Sequence, residues 1–571
     1  MEKTKLIAII VVVVLVAAGA SYYLFFRPAP KKTMLIQDSP RGVTTWDPSY
    51  SFSVEMPHIA NIYETLLRIG PNGEIQYVLA TSYEVSEDGL TWTFHLRQGV
   101  KFHDGTNFNA TAVKFSIERH ARVYWTTGQG AGYLWWMVAD DDNDRTNGLT
   151  GIEIVDAYTV KFHLIYPVPL DTIIASIYGA WIISPKIAEI GSDSEIKAWF
   201  DQGHDAGTGP YMIEEYEPND HIILKRFNDY WGGWKEGQFE KIYIKYVPDA
   251  NTQLTEIKGG SADIAMTVPV ESISDLQQNW ADKIKVYIHQ SVYNYLMFFN
   301  TRKYPLNITL VRQALSYAVP YQDIIEAIGG YARQAKGPVP YGLWPHNEEL
   351  FQYTYNLTKA QELLNQAGID PTKFSLRLTH AAENPAETAW APLIEEAFEE
   401  LGFQVTVDAI PWSQQWTEAM TDPDSYDLFL LLWWPTYPNG YDNMENMFAS
   451  WVLEWSYHFN FAWYNNSLFD YYLWTAYTTE AINKTKAFEL YTTAQEILIN
   501  DAPAAFLYDA QEIITMNAKI KGFVYNINFP GTVFFYDLTW EESSSNSSQS
   551  LSLLPIIANL ALIIPIRIKW E

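Results

Sequence analysis

The sequence contains no cysteine. This absence excludes disulfides, thiolate zinc sites, iron–sulfur clusters, cysteine nucleophiles and a lipid-modified cysteine anchor. Charged residues are scarce, at 18% of the chain, and 67 acidic residues outnumber 38 basic ones, which leaves a formal charge of −29. Because affinity for a phosphate backbone is carried by Lys and Arg, this balance argues against a nucleic-acid partner.

Aromatic residues, in contrast, are abundant: they make up 15% of the chain and include 22 Trp. The 571 residues are enough for several domains or for one large body with several lobes, since a domain usually has roughly 100–200 residues. Such a chain can bury a large core without disulfides, and its composition is that of a folded protein.

The N-terminus is strongly apolar. Residues 6–26 form an uncharged run of 21 residues, which as a helix would be about 31 Å long and would span a bilayer. Lys3 and Lys5 precede this run, so the positive-inside rule predicts a cytoplasmic start and a body outside the membrane. The small residues at 17–20 are typical of a signal-peptidase cleavage site. The length of the run, in contrast, is typical of an uncleaved anchor. We therefore expect residues 1–32 to be a signal peptide or a membrane anchor.

The C-terminus repeats this pattern. Residues 541–550 are a linker rich in Ser, and residues 551–571 begin with an apolar run that ends at Arg567 and Lys569. We expect a second membrane anchor here, although the run is short and contains Pro555, and a surface-lying or sorting segment is the alternative. Both basic flanks predict a large body on the extracytoplasmic face of the cell membrane.

Sequons for N-glycosylation agree with export. Six Asn residues stand in the pattern N-x-S/T, namely Asn109, Asn307, Asn356, Asn465, Asn483 and Asn546. The pattern is common by chance and marks only a potential surface site, so a glycoprotein is a weak expectation from it.

Patterns that carry catalysis are absent from the sequence. It has no G-x-S-x-G elbow, no H-E-x-x-H helix and no G-x-x-x-x-G-K-[ST] loop. The glycine-rich residues 128–132 are expected to be a flexible loop, and the acidic residues 140–144 a solvated turn, because they lack the order of a calcium loop. We expect no catalytic residue, no metal and no cofactor, although counting cannot exclude the two carboxylates of a glycosidase.

Hydrophobic periodicity predicts several elements. Residues 83–101 alternate in polarity as a hairpin does, Asn109 is expected to cap a helix, and residues 310–318 have helical spacing. A further helix is expected to open with a capping box from Thr358 to Gln361.

The third quarter of the chain alternates between strands and helices. Residues 374–379, 403–407 and 428–434 have the pattern of strands, and the apolar stripe in residues 394–401 has that of a helix. This order predicts a mainly parallel sheet with right-handed crossovers. Ligands gather at the carboxyl ends of such strands, where the residues beginning at Trp433 lie.

Four segments together resemble the oligopeptide- and dipeptide-binding proteins of ABC importers, which are solute-binding proteins of family 5. They are EIQYVLATSYEVSEDGLTWTFHLRQGVKFHDGT at 74–106, GTGPY at 207–211 with RFNDYWGG at 226–233, PDANT at 248–252 with GSADI at 260–264, and FNT at 299–301 with VRQALSYA at 311–318. They occur in the order of that family, and the resemblance covers roughly residues 34–540.

The resemblance implies an α/β fold, a two-lobed clamp of the periplasmic-binding-protein type II with an extra subdomain on the first lobe. Its boundaries by analogy are 33–56, 208–269 and 513–540 for the first lobe, 57–207 for the extra subdomain and 270–512 for the second lobe. Two chain crossings between the lobes would permit hinge closure.

The function implied by the resemblance is that of a solute receptor without catalysis. It would be a monomer that captures oligopeptides by closure of its lobes and delivers them to ABC permease subunits in the membrane. Oligosaccharides are the alternative ligand, because aromatic rings stack on sugar faces. A secreted glycoside hydrolase or peptidase on a related scaffold is the alternative from another functional class.

The ligand-binding residues are also inferred by resemblance. Peptide-binding members carry a W-x-x-D motif after a strand of the second lobe, whose Asp pairs with the amino terminus of the ligand. Here Trp433 and Trp434 are followed by Thr436 at the Asp position. Asp442 is expected either to substitute for that Asp or to cap the next helix. Strand alternation predicts that Trp433 faces the core and Trp434 the site.

Further ligand contacts are expected from three places in the chain. They are Tyr437 beside the motif, Tyr50, Ser51 and Ser53 on the first lobe, and Tyr293, Asn294 and Tyr295 at the start of the second lobe. Ordinary packing or a solvated loop is the alternative for each of them.

Overall fold

The computed structural model describes residues 33–38, 43, 45–51, 55–141, 144–455 and 458–541. The predicted anchors at 1–32 and 551–571, nearly all of the predicted linker and the candidate Ser53 lie outside these residues. Within the described ranges, no helix is both long enough and apolar enough to cross a membrane.

The described residues form strands throughout the chain. They are β1 (Thr33–Asp38), β2 (Leu67–Ile69), β3 (Ile75–Tyr77), β4 (Ala80–Val85), β5 (Thr91–Leu96), β6 (Ile152–Asp156), β7 (Thr159–His163), β8 (Tyr211–Glu217), β9 (His221–Arg226), β10 (Lys241–Tyr246), β11 (Ile264–Ala265), β12 (Ile284–Phe299), β13 (Ala332–Gln334), β14 (Ser375–Ala381), β15 (Gln404–Ile410), β16 (Leu428–Trp433), β17 (Ala504–Asn517), β18 (Ile520–Lys521) and β19 (Thr539–Trp540).

Helices alternate with these strands. They are α1 (Met56–Ile59), α2 (Ala110–Thr127), α3 (Leu170–Ile173), α4 (Asp193–Phe200), α5 (Ala250–Gly259), α6 (Ile273–Asn279), α7 (Thr309–Ala318), α8 (Tyr321–Ala327), α9 (Leu357–Ala367), α10 (Pro385–Glu400), α11 (Trp412–Thr421), α12 (Gly440–Phe448), α13 (Ser467–Glu480) and α14 (Lys484–Asp501).

One large sheet runs through the molecule in the order β15-β14-β16-β12-β17-β11-β1-β10-β9-β8, with β13 beside β17. A separate four-stranded antiparallel sheet, β4-β5-β7-β6, lies in residues 57–207, which we call the small-sheet region. The remaining strands form two short hairpins, β2–β3 and β18–β19.

Two long strands connect the halves of the large sheet. β12 pairs with β16 through residues 294–299, and β17 pairs with β11 through residues 515–516. β12 and β17 are also antiparallel neighbours, and their ladder breaks in register between Gln290 and Asn294. The chain therefore crosses from one half to the other along two adjacent strands with an irregularity at the crossing.

The parallel arrangement predicted for the third quarter is present locally. β14 pairs in parallel with both β15 and β16. The prediction of a mainly parallel sheet is wrong for the whole, because β12 and β17 run antiparallel to each other and to their other neighbours. The sheet is mixed: β8, β9 and β10 are antiparallel neighbours that are consecutive in the sequence, whereas β12 and β17 are antiparallel neighbours that are far apart in it.

β16 is covered on both faces, as its unbroken apolar run predicts. Leu428 and Leu430 belong to the core cluster packed around β14 and α10. Phe429, Leu431 and Trp433 belong to a larger cluster that extends into the small-sheet region. Because successive side chains of a strand point to opposite faces, alternate residues of β16 serve two cores.

The predicted hairpin is confirmed. β4 and β5 pair antiparallel, and Trp92, Phe94 and Leu96 are buried while the residues between them are half-exposed. Gly89 in the turn has a φ of +72°, which glycine adopts at low cost.

Helix starts are correct in one case and wrong in another. Asn109 caps α2, because its side chain accepts a hydrogen bond from the Ala112 N–H. The capping box predicted at Thr358 is not formed. Asn356 is the cap of α9 and accepts from the Lys359 N–H at 2.9 Å, which places Thr358 inside the helix.

Several sequon Asn residues have a structural role. Asn109, Asn356 and Asn483 are N-caps of α2, α9 and α14, and each accepts a backbone hydrogen bond. Capping accounts for Asn at these positions without a glycan, so glycosylation stays a prediction.

Within the glycine-rich residues 128–132, Gly130 and Gly132 are closely packed, which corrects the expectation of a flexible loop for this part, whereas Gly128 has open space around it. A Cβ added at Gly130 would lie 2.0 Å from the Ser49 carbonyl oxygen, and one at Gly132 would lie 1.9 Å from that of His120. Glycine is required here because the backbone approaches other backbone atoms too closely for a side chain.

Candidate functional site

The turn between β16 and α12 brings most of the predicted site residues together. β16 ends at Trp433, and α12 begins at Gly440 with Asn439 as its cap, whose side chain accepts from the Tyr441 N–H at 2.9 Å. The cap is itself fixed, because the Asn439 side-chain amide donates to the buried carboxylate of Glu480. The turn is therefore held at its α12 end.

The two tryptophans of the motif face in opposite directions, as strand alternation predicts. Trp433 is buried and packs against Phe459, with ring centroids 4.8 Å apart. Trp434 leaves the core and donates from its indole Nε1 to the Tyr178 hydroxyl at 3.1 Å. Tyr178 belongs to the small-sheet region, so Trp434 bridges the two parts of the molecule that face each other across the turn.

Thr436 also contacts the small-sheet region. Its hydroxyl is 2.8 Å from the Tyr133 hydroxyl, and its carbonyl oxygen accepts from the Ser176 hydroxyl at 2.8 Å. Both partners lie in the small-sheet region. The residue at the expected Asp position thus holds the turn against the opposite side by neutral hydrogen bonds.

Asp442 is hydrogen-bonded to the backbone of Thr436. One carboxylate oxygen accepts from the Thr436 N–H at 2.8 Å, and the other accepts from the Asn446 side-chain amide at 3.1 Å. Burial, aided by the nearby Glu445, raises the pKa of Asp442 to about 7. Asp442 is inside the first turn of α12 rather than at its cap, so the expectation that it caps the helix is wrong; Asn439 precedes the helix and has that role.

The three candidates on β12 lie in different surroundings. Tyr293 is close to Trp434, with ring centroids 6.0 Å apart and the rings nearly perpendicular. Asn294 is buried and donates to Asp509 at 2.6 Å. Tyr295 stacks on Tyr508 with centroids 4.5 Å apart and belongs to the core around β14 and α10.

The two described candidates near the N-terminus, Tyr50 and Ser51, have different neighbours. The Ser51 hydroxyl donates to Glu55 at 2.5 Å. The Tyr50 ring lies 5.7 Å from the Lys197 ammonium on α4. Neither residue lines the cavity described next.

A cavity of about 10 Å³ lies at the end of β16, which is room for about one water molecule. Its walls come from the turn, from the crossing strand β12, from the small-sheet region and from the C-terminal segment. They are Ile177, Val292, Leu343, Pro435, Thr436, Tyr437, Pro438, Ile527, Asn528 and Pro530. We call the space between the turn and its partners in the small-sheet region the cleft.

Thr436 and Tyr437 are the two predicted residues that line this cavity. Sequence reasoning missed Ile177, Val292 and Ile527, because apolar residues outside a recognisable motif carry no local signal of a binding site. It also missed Ser176, although a Ser within an apolar run is a weak sign of a buried hydrogen bond.

Two carboxyl groups with raised pKa values lie on β17, the strand beside β12. Glu512 on β17 accepts from the Gly531 N–H and the Tyr525 hydroxyl, each at 3.1 Å, and burial raises its pKa to about 6. Burial also raises the pKa of Asp509 to about 7. None of the residues that line the cavity is Lys or Arg. The cavity lining therefore offers no cationic side chain that could pair with an anionic ligand.

The described residues contain no group of three or more His, Asp or Glu side chains placed to hold a metal ion. What the arrangement offers chemically is a set of hydrogen-bonding groups and aromatic rings on two facing surfaces.

Comparison with known proteins gives a consistent result. Residues 74–453 match the family of bacterial extracellular solute-binding proteins, family 5 Middle. The probable D,D-dipeptide-binding periplasmic protein DdpA of Escherichia coli (strain K12) is 27% identical over 507 residues, which cover 87% of this chain and 92% of that protein. Heme-binding protein A of Haemophilus influenzae is 29% identical over 486 residues, which cover 79% and 82%.

Solved structures share the fold. The ABC transporter-associated periplasmic binding protein DppA from Helicobacter pylori, in complex with the peptide STSA, has a TM-score of 0.74 and 24% identity, covering 90% of this chain and 99% of that one. The ABC transporter substrate-binding protein CtaP from Listeria monocytogenes has a TM-score of 0.76 and 20% identity, covering 90% and 100%. The predicted α/β clamp of the periplasmic-binding-protein type is thereby confirmed.

Proposed function

This chain belongs to the bacterial extracellular solute-binding proteins of family 5, and from that premise we propose that it is the receptor of an ABC importer and closes on a short peptide in the cleft. The hydrolase alternative is excluded, because members of this family bind solutes and are not enzymes. The identity of the solute, the binding residues and the delivery to a permease are the proposed part.

The observation that carries the proposal is the set of hydrogen bonds across the cleft. Trp434 bonds to Tyr178, and Thr436 bonds to Tyr133 and Ser176. The cavity between these surfaces is too small for one amino acid, so a ligand requires the surfaces to separate. Such separation would expose hydrogen-bond donors and acceptors on both surfaces. A peptide backbone can form hydrogen bonds with them.

The crossing strands supply a site for the movement. β12 and β17 are the continuous connections, and the register of their ladder breaks between Gln290 and Asn294. Hinges are short segments that absorb a change in backbone angles. We propose that residues 291–293 and the facing part of β17 form this hinge, and that the boundaries of the lobes follow it.

Charge favours a peptide with a free amino terminus. Thr436 cannot form an ion pair, but the Asp442 carboxylate lies one hydrogen bond behind it. We assign Asp442 as the counter-charge for the ligand ammonium, with Glu512 as a second carboxylate near the hinge. The other predicted contacts, Trp434 and Tyr293, would enclose the side chains of the peptide.

Calorimetry with the full-length protein tests this assignment. Di- to tetrapeptides are titrated before and after N-terminal acetylation, alongside oligosaccharides, and the ligand is recovered and analysed afterwards. We expect one-to-one binding of intact peptide that acetylation weakens by about tenfold or more, since a charge-assisted hydrogen bond contributes about 1.5–3 kcal/mol. Binding of oligosaccharides without peptides would refute the peptide and favour the alternative ligand.

Attachment and assembly are also proposed. Residues 1–32 and 551–571 would hold a monomeric body at the outer face of the membrane, close to a permease, which raises its effective concentration there. Membrane fractionation of the full chain and of a variant ending at residue 550 tests the second anchor. Equal membrane retention of both would show that residues 551–571 are not needed.

A further inference from the structure

A second cavity, of about 390 Å³, lies between the small-sheet region and the β8–β9 side of the molecule. Its walls come from the β2–β3 hairpin, from the loop after β9 and from the segment that precedes β19. This volume is within the range of small-molecule sites, which is roughly 300–1,000 Å³. It is much larger than the cavity in the cleft and has none of that cavity's lining residues.

The floor of the second cavity is rigid. The buried carboxylate of Glu64 accepts hydrogen bonds from the Thr208 hydroxyl, the Tyr230 hydroxyl and the Trp231 indole, at 2.8–3.1 Å. Behind Trp231, the Arg97 guanidinium lies 4.0 Å from the ring centroid. The carboxylate of Glu64 is therefore fully hydrogen-bonded, and it holds the side chains of Tyr230 and Trp231 in place.

Arg68, in contrast, has unused donors. Its Nε donates to the Gln76 side chain at 3.0 Å, and its guanidinium carbon lies 4.6 Å from the centroid of the Phe534 ring. These two contacts orient the guanidinium plane. Its terminal nitrogens donate no hydrogen bond to any residue in the described part of the chain, and Arg68 lines the cavity.

Asp537 supplies the opposite charge at the same cavity. Its carboxylate accepts no hydrogen bond and forms no ion pair within the described ranges, and it also lines the cavity. Arg68 and Lys235 act to lower the pKa of this carboxyl, against the larger effect of burial, which raises it. The cavity is thus lined by one guanidinium and one carboxylate that have free hydrogen-bonding positions.

We propose that this cavity is a second binding site, for a small zwitterion with an apolar or aromatic side chain, such as a free amino acid. The ligand carboxylate would bond to the terminal nitrogens of Arg68, and its ammonium would face Asp537. The side chain would pack among Tyr230, Trp231 and Tyr536, whose rings have centroids 4.9–5.4 Å apart where they touch. Arg68 is half-buried and Asp537 is exposed, and an anion or a cation alone would pair with only one of these two charges.

The site is coupled to the cleft by one chain segment. Asn528 and Pro530 line the cleft cavity, whereas Phe529 between them lines the second cavity. The segment is anchored by the Asn528 side-chain amide, which donates to the Gly70 carbonyl at 3.1 Å. A ligand that contacts Phe529 therefore acts on a wall of the cleft. The second site itself does not rest on the function proposed for the cleft.

Titration of the full-length protein with L-phenylalanine tests the proposal. L-phenylalanine amide, which lacks the carboxylate, and 3-phenylpropionate, which lacks the ammonium, are the matched ligands. We expect saturable binding of L-phenylalanine. Each analogue should bind with about tenfold lower affinity, because it lacks one charge-assisted hydrogen bond. No saturation at concentrations up to about 10 mM, where even very weak sites fill, would overturn the proposal.

Variants assign the binding to this cavity. Arg68→Gln is expected to weaken L-phenylalanine binding by about tenfold, and Asp537→Asn to weaken L-phenylalanine but not 3-phenylpropionate. Arg68→Lys keeps the charge without the paired donors and should be intermediate, which keeps the test open if Arg68→Gln folds poorly.

Arg226→Gln is the matched control. Arg226 resembles Arg68 in two contacts, with its Nε bonded to the Asn228 side chain at 3.1 Å and its guanidinium 5.5 Å from the Trp234 centroid. It differs in that its Nη1 lies 4.0 Å from a Glu240 carboxylate oxygen and in that it does not line the cavity. It should leave binding unchanged. Equal loss in Arg226→Gln and Arg68→Gln, or loss in Trp434→Ala alone, would overturn the site, and the latter would place the amino acid in the cleft.

Discussion

The Trp434 indole donates a hydrogen bond to the Tyr178 hydroxyl at 3.1 Å, although the two residues are 256 positions apart in the chain. Trp434 follows β16 in the large sheet and Tyr178 follows α3 in the small-sheet region. In the function that we propose, this bond joins the two surfaces that separate when a solute enters. It therefore contributes to the closed state and is absent from an open one.

Loss of this bond should favour the open state. Tyr178→Phe removes the acceptor and keeps the ring, and the loss of about 1 kcal/mol corresponds to a roughly fivefold shift in the open–closed equilibrium. Small-angle scattering of the ligand-free protein should then give a larger radius of gyration. Tyr211→Phe is the control, because the Tyr211 hydroxyl donates to the Phe239 carbonyl on one side of the cleft. An equal increase in both variants would contradict the role of Tyr178.

Peptide affinity should depend on pH through Asp442. Its pKa is raised to about 7, and only the ionised carboxylate attracts an ammonium. Affinity is therefore expected to fall as pH decreases through 7, by about five- to tenfold between pH 7.5 and pH 6. Calorimetry at these two values measures it.

Asp442→Asn should remove this pH dependence and weaken binding at pH 7.5 to the value seen at pH 6 or below. Glu496→Gln, on the exposed face of α14, is the charge-matched control. A pH dependence that persists in Asp442→Asn would assign it to another carboxyl group with a raised pKa, of which Glu445 acts on Asp442 directly and Glu512 lies on β17.

The folded protein should be more stable in mild acid than at neutral pH. Burial raises the pKa of Glu445 and of Glu480 to about 7. The native state then holds protons that the unfolded chain, with Glu pKa values near 4.3, has released. The free energy of unfolding consequently falls as pH rises from about 4 to about 7, by up to about 3–4 kcal/mol for each such group, since one pKa unit corresponds to about 1.4 kcal/mol.

Thermal unfolding at pH 5.5 and pH 8 measures this effect. Glu480→Gln should reduce the difference in melting temperature between the two values, because it removes one titrating group and keeps an acceptor for Asn439. The exposed Glu496→Gln should not reduce it. An unfolding temperature that rises from pH 5.5 to pH 8 in the unmodified protein would contradict the prediction.

Two glycines in one loop separate backbone strain from steric contact. Gly128 has a φ of +71° and open space around a Cβ, whereas Gly130 has a φ of +76° and the Ser49 carbonyl oxygen 2.0 Å from a Cβ. Gly128→Ala should cost about 1 kcal/mol in the free energy of unfolding. Gly130→Ala should cost about 2 kcal/mol more, because the contact forces the backbone to move. Urea unfolding measures both losses of unfolding free energy. Equal losses in the two variants would show that the loop moves to accommodate the added methyl group at no further cost.

Much of the local structure is predictable from the sequence. The β4–β5 hairpin follows from strict alternation and a glycine turn, and α2 follows from its Asn109 cap, since both depend on residues close in the chain. The start of α9 was misassigned because Asn356 and Thr358 both suit an N-cap and only one can precede the helix. The wrong expectation for the whole sheet has a different origin, since the pairing of β12 with β17 joins segments more than 200 residues apart.

The candidate site is predictable in part. Strand alternation assigned Trp433 to the core and Trp434 to the cleft, and the carboxyl end of β16 was the correct place to search for a cavity. Tyr295 shows where the inference by position fails. The register break in β12 decides which face each residue occupies, and Tyr295 stacks on Tyr508 in the core.

The sequence by itself determined the family, the β4–β5 hairpin, several helices and the position of the Trp433–Trp434 turn, because motifs, caps and alternation act over a few residues. Only the tertiary structure decided that Tyr133, Ser176 and Tyr178 oppose this turn and that Arg68 and Asp537 share a cavity. Contacts between distant segments depend on how whole sheets pack, and no pattern within either segment encodes its partner.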